Sequence, residues 1–186
     1  MNPILIEFPT EFYTERLLIR IPKPGDGKAV YNAIQNSINE LKPWMPFVHS
    51  EQSEEQCEVN TRNAYTEFIS RNDLRLHIFI KETGEFIGSS GLHRINWDIP
   101  KFEIGYWIDT RYSGKGYITE AVQGISNFAF GELKARRVEI RCDSKNKKSR
   151  RIPEKLGYIL EGILKNDDVA VDGNGLRDTC IYAKVR

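Results

Sequence analysis

Residues 107–119 (WIDTRYSGKGYIT) have the types and spacing to bind a phosphate group. Gly114 and Gly116 stand between an apolar strand pattern and a helical pattern. Successive backbone N–H groups at such a turn, aimed along the axis of the following helix, form a cradle for phosphate or pyrophosphate. A strand-to-helix turn that merely needs glycine fits the same letters. The P-loop spacing is missing, and Thr119 stands where a Rossmann motif needs its third glycine.

Two further segments carry polar residues that could take part in proton transfer. Asn146 and Ser149 lie in the first turn of a helical pattern over residues 146–156 that Gly157 ends. Glu103 interrupts an otherwise apolar strand and, by two-residue alternation, shares a face with Trp107. A glutamate partly withdrawn from water can act as a general base. A salt-bridged or edge-exposed glutamate is the alternative.

Together these segments resemble the GCN5-related N-acetyltransferase (GNAT) superfamily. Residues 111–116 (RYSGKG) match its [QR]-x-x-G-x-[GA] pyrophosphate loop between the fourth strand and the third helix. Residues 146–149 (NKKS) and 154–158 (EKLGY) are similar to its N-x-x-S…E-K-L-G-[FY] segment. Residues 14–20 (TERLLIR) and 103–107 (EIGYW) are similar to the branch that acetylates the N-terminal serine or alanine of ribosomal proteins.

The resemblance implies that acetyl-coenzyme A binds where two parallel strands, ending at Ile108 and Cys142, splay apart. Backbone groups of residues 107–109 would pair with the pantetheine arm, and the amides of residues 112–116 would hold the pyrophosphate. Arg111 and Lys115 either add charge at the phosphates or are simply solvated. The residues expected to contact the cofactor are Trp107, Ile108, Asp109, Arg111, Tyr112, Ser113, Gly114, Lys115, Gly116, Tyr117, Asn146 and Ser149.

The implied reaction is direct attack of an amine on the thioester in a ternary complex, with no covalent enzyme intermediate. It needs a base, a donor to the oxyanion and a proton donor to the thiolate. Glu103 is the expected base, and Asp168, in the polar run of residues 165–168, is the second candidate, with a turn aspartate as its alternative. A backbone N–H near Trp107 or Ile108 would meet the oxyanion.

Ser149 is the expected proton donor to the leaving thiolate. Many members of the superfamily place a tyrosine seven residues after the motif asparagine, but here that position is Pro153, which has no proton to give. The ribosomal-protein branch resembles this chain in having a serine three residues after Asn146, which itself would meet a pantetheine amide. A helix N-cap is the alternative role for Ser149.

Residues 41–47 (LKPWMPF) predict a proline-broken loop with large apolar side chains. In this superfamily the loop between the first two helices shapes the acceptor pocket, so Trp44 and Phe47 are candidate substrate-binding residues, with core packing as the alternative. His49, His77 and His93 lack metal-ligand spacing and are interpreted as incidental. No metal is expected.

The elements that must position these residues form an α/β pattern. Alternating and helical periodicities predict the order β-α-α-β-β-β-α-β-α-β-β, hence a mixed sheet with helices on both faces. The resemblance implies the GNAT acyl-CoA N-acyltransferase fold, with about seven strands, about four helices and splayed fourth and fifth strands. We expect one domain spanning residues 1–186.

Composition agrees with an ordinary soluble globular protein. The chain has 186 residues, 40% of them hydrophobic and 28% charged, and a formal net charge of +1. This near-neutral charge balance does not indicate nonspecific binding to nucleic acid or membranes. The 3 cysteines are widely spaced and indicate free thiols in a reducing cytoplasm.

The resemblance therefore implies a cytoplasmic N-acetyltransferase whose leading acceptor is the N-terminal α-amine of a ribosomal protein. A small-molecule amine, such as a polyamine, amino sugar or antibiotic, is the second acceptor class. A non-catalytic coenzyme A binding module is the third hypothesis. The aromatic-rich terminal strands could pair two copies in a homodimer, and the sequence leaves the oligomeric state open.

Overall fold

The computed structural model describes residues 2–50 and 53–186. Within these residues the α-helices are α1 (Gly27–Leu41), α2 (Glu54–Ile69), α3 (Tyr117–Gly131) and α4 (Lys147–Lys155). The strands are β1 (Glu11–Tyr13), β2 (Leu17–Arg20), β3 (Leu74–Ile80), β4 (Phe86–Asn96), β5 (Lys101–Ile108), β6 (Arg137–Asp143), β7 (Ile159–Val169) and β8 (Leu176–Val185).

The strands form one sheet in the order β1-β2-β3-β4-β5-β6-β8-β7. Only β5 and β6 are parallel neighbours, and every other pair is antiparallel. The predicted mixed α/β architecture is confirmed. The described chain has eight strands rather than about seven, because β1 is only three residues long and too short to show alternation. The predicted fourth and fifth strands are therefore β5 and β6.

The parallel pair separates along its length. Pairing runs from Lys101 opposite Arg137 to Glu103 opposite Glu139 and then stops. Both strands continue beyond that point, β5 to Ile108 and β6 to Asp143. A gap thus opens in the middle of the sheet, and the predicted splay is confirmed.

Helices cover both faces of the sheet. On one face, Ile118, Val122 and Ile125 of α3 pack in the main core. On the other face, Ile34 of α1 and Cys57 of α2 form a smaller cluster. Burying each large apolar side chain stabilises the fold by about 1.5–3 kcal/mol.

The last hairpin is longer than predicted. The turn alternative for Asp168 is wrong, because β7 extends to Val169 and Asp168 pairs with Arg177 of β8. Asn166 adopts a φ of 51°, and the register shifts between Leu164 and Asp168. A bulge therefore admits these polar residues to the strand, which local composition does not reveal.

The surface at this end of the sheet also differs from the expectation. Tyr158 and Tyr182 are 5% and 1% exposed, so these aromatic residues cannot pair two copies. The exposed apolar side chains of β7 are aliphatic and include Ile159, Leu160 and Ile163. A homodimer stays a prediction. No helix of the described chain is both long and apolar enough to cross a lipid bilayer.

Candidate active site

A cavity of about 850 Å³ lies between the sheet and the α1–α2 pair. Asn146 and Ser149 border it at the β5–β6 gap, and Trp44 and Phe47 border it at the α1–α2 loop. The sheet face between these ends carries polar side chains and glycine rather than an apolar core, so the cavity has a polar floor.

The open edge of β5 faces the gap. The Asp109 N–H donates to a β4 carbonyl at 2.8 Å, and the Trp107 carbonyl also points toward β4. Since backbone groups alternate sides along a strand, those of Tyr106 and Ile108 face the gap. The expectation for Ile108 agrees with this geometry. Trp107 and Asp109 were expected to pair with the cofactor, but their backbone groups are turned toward β4.

The glycine-bearing loop contains a 3₁₀ turn followed by open amides. The Tyr112 N–H donates to the Asp109 carbonyl at 2.9 Å, and the Ser113 N–H donates to the Thr110 carbonyl at 3.1 Å. These two amides were expected to hold a pyrophosphate, but they are engaged within the turn. In the described chain, the donors left open run from Gly114 into the first turn of α3, where helix geometry supplies no acceptors.

Two glycines give this loop its shape. Gly114 and Gly116 have φ values of 79° and 83°, a region that other residues enter only with strain. Gly116 is also the N-cap of α3, and Tyr117 is the first residue of that helix. The open amides therefore converge at the positive end of a helix dipole.

The buried Asp109 carboxylate positions the glycine-bearing loop. It is fully buried, and its carboxylate accepts hydrogen bonds from the Arg111 guanidinium and from Asn36. Burial by itself would raise the pKa of Asp109, but these donors outweigh it and hold the pKa below its usual value. Arg111 also lies 3.5 Å from Glu85. Its charge is thus occupied in positioning the loop, whereas Lys115 keeps its ammonium group at the loop surface, 5.2 Å from the Tyr112 ring.

Arg16 fastens the same loop from the N-terminal side. Its guanidinium donates to Glu120 of α3 at 2.6 Å and to the Lys115 carbonyl at 3.1 Å. Glu120 also accepts from the Thr14 hydroxyl at 2.6 Å. Residues 14–16 therefore lock the start of α3, a positioning role that the sequence pattern alone did not reveal.

Asn146, not Ser149, caps α4. The Asn146 Oδ1 accepts the Ser149 N–H at 3.0 Å. The helix-cap alternative for Ser149 is therefore wrong. Its hydroxyl is left to face the cavity, where it donates to the Tyr106 hydroxyl at 3.2 Å.

Pro153 explains why Tyr106 meets Ser149. Proline has no N–H, so in α4 it leaves the Ser149 carbonyl, four residues earlier, without its helical donor. The Tyr106 hydroxyl donates to that carbonyl at 2.9 Å. Burial raises the pKa of Tyr106, so this hydroxyl keeps its proton at neutral pH. Sequence reasoning missed Tyr106, although the proline at this position was a signal that some other hydroxyl is needed.

Cys142 lies on the cavity wall near the same hydroxyls. Burial raises its pKa to about 12, so the thiol is uncharged at neutral pH. An uncharged thiol is a poor nucleophile. This fits a reaction without a covalent enzyme intermediate.

The two candidate carboxylates lie outside the lining of the cavity. Glu103 is in ion pairs with Arg94 at 3.6 Å and Arg141 at 3.7 Å. Asp168 accepts a hydrogen bond from Arg177 at 2.8 Å, and this contact holds the pKa of Asp168 below its usual value. The contacts of Glu103 match its salt-bridged alternative. Asp168 is likewise paired with an arginine rather than free to act as a base.

Trp44 and Phe47 border the cavity as expected for acceptor-binding residues. The Phe47 ring lies 6.1 Å from the Trp107 ring, which links the α1–α2 loop to β5. The neighbouring Met45 packs against a buried cluster that includes Val48. The loop therefore lines the cavity and also packs into the core.

His77 and His93 are not incidental. The His77 side chain is 3% exposed and bonds Asp26, which is also paired with Arg20. The His93 Nδ1 lies 2.6 Å from Asp73 Oδ2 on the cavity wall. Each acid lies far from its histidine in sequence, so spacing gave no signal. Within the described residues no cluster of three or more His, Cys, Asp or Glu could hold a metal ion.

These residues fit acetyl-coenzyme A. A pantetheine arm needs an open backbone edge, which β5 offers at Tyr106 and Ile108. A pyrophosphate needs convergent N–H donors, which begin at Gly114. A thiolate leaving group needs a protonated neighbour, and Ser149 lies where the gap meets the cavity.

Comparison with known proteins gives the same assignment. The model of the acetyltransferase (GNAT) domain family matches residues 16–159. The chain is 30% identical over 169 residues to a putative ribosomal N-acetyltransferase, YdaF, of Bacillus subtilis (strain 168), covering 90% of each chain. It is 30% identical over 152 residues to the ribosomal-protein-serine acetyltransferase of Escherichia coli (strain K12), covering 82% of this chain and 79% of that one.

A solved structure agrees with both relatives. The microcin C7 self-immunity acetyltransferase MccE, in complex with acetyl-CoA and AMP, has a TM-score of 0.82 and 25% identity over 93% of this chain and 94% of that one. Fold, site and sequence relatives therefore converge. The chain belongs to the GNAT acetyltransferase family and is an acetyl-CoA-dependent N-acetyltransferase.

Proposed function

We propose that the acceptor of this acetyltransferase is the N-terminal α-amine of a ribosomal protein. Support comes from two relatives at 30% identity whose names carry that substrate class. The observation that carries the proposal is the single cavity that joins the β5–β6 gap to the α1–α2 loop. An extended peptide end can enter it from the loop side and present its amine at the gap. Such a substrate would be met in the cytoplasm.

The chain's own groups divide the work of the reaction. When bound, acetyl-coenzyme A supplies a thioester whose acetyl carbon is open to attack. The backbone of Tyr106 and Ile108 would bind the pantetheine arm, with one of these N–H groups placed to donate to the developing oxyanion. The amides from Gly114 into α3 and the Lys115 ammonium would bind the pyrophosphate. The Asn146 Nδ2 group takes no part in capping α4 and would donate a hydrogen bond to a pantetheine carbonyl.

Ser149 is the proposed proton donor to sulfur. Its hydroxyl lines the cavity at the gap and donates to the Tyr106 hydroxyl, which burial keeps protonated, so after transfer to sulfur the serine proton is replaced from solvent. The cap of α4 by Asn146 and the Tyr106 bond to the Ser149 carbonyl fix the serine backbone on both sides. Preorganised donors of this kind lower the barrier because they need no rearrangement during the reaction.

The acceptor end of the cavity has features suited to a peptide amine. Trp44 and Phe47 form an apolar wall for the first side chain. Glu67 and Asp73 also line the cavity, and carboxylates attract an ammonium group. A small-molecule amine is the rival acceptor, because a structural neighbour at 25% identity is seen with AMP as well as acetyl-CoA.

The test follows release of free coenzyme A thiol with two acceptor panels. One panel holds peptides with serine or alanine N-termini and the same peptides blocked by acetylation. The other holds polyamines, aminoglycosides and aminoacyl nucleotides. Turnover of the unblocked peptides alone is expected. Turnover of small amines alone overturns the ribosomal acceptor, and tight cofactor binding without thiol release on either panel favours a binding module.

Ser149→Ala tests the proposed donor on the acceptor that turns over. We expect kcat to fall about 100-fold, within the range for lost general acid catalysis, with the Kd for acetyl-CoA nearly unchanged. Ser70→Ala, at the end of α2 and away from the cavity lining, is the matched control. A kcat within about threefold of the unsubstituted enzyme would remove Ser149 from the mechanism.

A further inference from the structure

His93 and Asp73 form a hydrogen-bonded pair on the floor of the cavity. The His93 Nδ1 lies 2.6 Å from Asp73 Oδ2, and both residues line the cavity. The side chains are 28% and 31% exposed, so the pair is neither buried in the core nor free on the surface. Asp73 lies just before β3 and His93 lies in β4, so the sheet itself brings them together.

Two glycines make room for the His93 ring. A Cβ at Gly91 would lie 3.0 Å from its Cε1 atom, and a Cβ at Gly105 would lie 3.4 Å from its Cδ2 atom and 3.6 Å from its Nε2 atom. The His93 ring therefore packs closely over these two glycines of β4 and β5. With Nδ1 held by Asp73, Nε2 is left above Gly105, one residue from the edge of the gap.

The position of Nε2 matches the place where an attacking amine must lose its proton. Gly105 precedes Tyr106, whose backbone faces the gap and whose hydroxyl bonds Ser149. Trp44 and Phe47 line the opposite end of the cavity, where the proposed function has the amine enter. A base on the floor between the two ends reaches the amine without obstructing either.

Other titratable groups are less suited to this task. Glu103 and Asp168 lie outside the cavity lining, and each is paired with arginine. His77 lines the cavity but is almost fully buried, and its Nδ1 is bonded to Asp26 beside Arg20. Burial lowers the pKa of His77, against the opposing effect of Asp26. His93 alone of these combines exposure to the cavity with an orienting carboxylate.

We propose that His93 Nε2 is the general base that takes the proton from the acceptor amine, with Asp73 as its positioning residue. His93 Nε2 first takes one proton from the acceptor ammonium. As the neutral amine nitrogen bonds to the acetyl carbon, the carbon–sulfur bond breaks with its electron pair on sulfur and the second N–H proton leaves to solvent. A proton from Ser149, replaced through solvent, completes the thiol. This role rests on acetyl transfer to an amine and holds for either acceptor class.

Asp73 does two things in this arrangement. Its hydrogen bond keeps the Nδ1 proton in place, so the lone pair is on Nε2, and its charge balances the imidazolium once the proton has arrived. The other charged side chains that line the cavity or adjoin the ring in the sheet are Glu67, Arg75, Arg94, Glu103, Arg141, Asp143 and Arg177. Within residues 2–50 and 53–186 none of these side chains hydrogen-bonds the His93 ring, so Asp73 is the carboxylate that orients it.

The main test is His93→Gln on whichever acceptor turns over. We expect kcat to fall about 100-fold or more at neutral pH while acetyl-CoA binds with nearly the same Kd by calorimetry. The loss should shrink as the pH approaches the pKa of the acceptor amine, because an amine that is already neutral needs no base. Added imidazole should restore part of the activity of His93→Ala. His49→Gln, whose ring bonds only the Lys42 carbonyl on the surface, is the matched control.

Asp73→Asn separates the positioning role from simple structural support. We expect kcat to fall about tenfold and the alkaline-side recovery to persist, with thermal stability close to that of the unsubstituted protein. Nitrogen-15 NMR of the imidazole, with acetyl-CoA bound and no acceptor, should show Nδ1 protonated and Nε2 bare, and Asp73→Asn should weaken that preference.

Two results would overturn the proposal. One is a His93→Gln enzyme with the same kcat and pH profile as the unsubstituted enzyme. The other is an NMR spectrum in which neutral His93 carries its proton on Nε2. The second measurement needs no acceptor, so it decides the role of His93 even if the ribosomal acceptor of the proposed function fails.

Discussion

The cofactor side and the acceptor side of the cavity are formed by different kinds of chemical group. The cofactor side uses backbone groups of one continuous stretch, from Tyr106 to the first turn of α3, shaped by Gly114 and Gly116. The acceptor side uses side chains from separate segments, held by two pairs of an acid with a histidine. Backbone sites depend on local shape, whereas side-chain sites depend on charges that only the folded sheet brings together.

Because of this difference, the two sides tolerate different amino-acid substitutions. Many side chains can replace one another on the cofactor side so long as the glycines and the supports of the loop remain, because the donors are amides. On the acceptor side, each buried charge depends on a named partner, and its loss leaves the other charge without compensation. A common scaffold can therefore keep one cofactor while its acceptor changes.

The largest expected effect is on stability, from Asp26→Asn beneath the acceptor side. Asp26 pairs with Arg20 at 2.7 Å and with His77 at 3.0 Å, and both of its partners have side chains no more than 13% exposed. Removing the carboxylate leaves Arg20 uncompensated and should lower the free energy of unfolding by about 3 kcal/mol. Chemical denaturation measures this change in the free energy of unfolding. Acetyl-CoA affinity should hardly change, which would sharpen the contrast between the two sides.

The pKa of Asp26 determines how its contribution to the free energy of unfolding changes with pH. Burial alone would raise the pKa of Asp26, but hydrogen bonds from Arg20 and His77 outweigh it and depress the pKa well below its usual range. A depressed pKa contributes stability that is present above about pH 4, the unfolded value, and is lost as the pH falls toward the folded value. The difference between the two proteins should shrink below about pH 4. Exposed Asp98→Asn is the control, and a difference that does not vary with pH would refute the argument.

The same contrast explains which parts of the site the sequence could predict. Gly114, Gly116, Asn146 and Ser149 lie in short contiguous motifs whose chemistry is local, and the structure places them around the gap. The pairs Asp26–His77 and Asp73–His93 are 51 and 20 residues apart in sequence. No local pattern marks such pairs, because strand pairing creates them.

The fold shows the same limit. Helices and the longer strands, α3 (Tyr117–Gly131) among them, follow from periodicity. The sequence pattern did not predict β1, which is short. It also did not carry β7 through the bulge at which Asn166 takes a positive φ. In both places the pairing of the neighbouring strand, not the local sequence, decides the structure.

A smaller effect, on cofactor affinity, is expected from Gly116→Ala. The added Cβ would meet only the Arg16 guanidinium at 3.5 Å, so the strain comes from the φ of 83°. That strain is worth roughly 1–2 kcal/mol, and if the loop relaxes to relieve it, the amides cease to converge and the Kd for coenzyme A rises about tenfold. Calorimetry with coenzyme A measures it.

Gly131→Ala, at the other end of α3, is the matched control for this change. A Cβ there meets nothing within 4 Å, and the φ of Gly131 is not positive. Its Kd should stay at the value of the unsubstituted protein. Equal affinities in both variants would mean that side chains, not the shaped backbone, hold the cofactor, and the contrast drawn between the two sides would fail.

The smallest expected effect separates the two sides by kinetics. Phe47 is 36% exposed and touches the cavity from the α1–α2 loop, with its ring 6.1 Å from that of Trp107. Because it is only partly buried, Phe47→Ala removes part of the acceptor wall and little of the core, so the KM for the acceptor should rise about fivefold with the KM for acetyl-CoA unchanged. Steady-state kinetics with each substrate varied in turn measures this. Tyr65→Ala, on α2 and 40% exposed outside the cavity lining, is the control. A parallel rise in both KM values would show that the aromatic loop also supports the cofactor, because Trp107 then transmits the change across β5 to the gap.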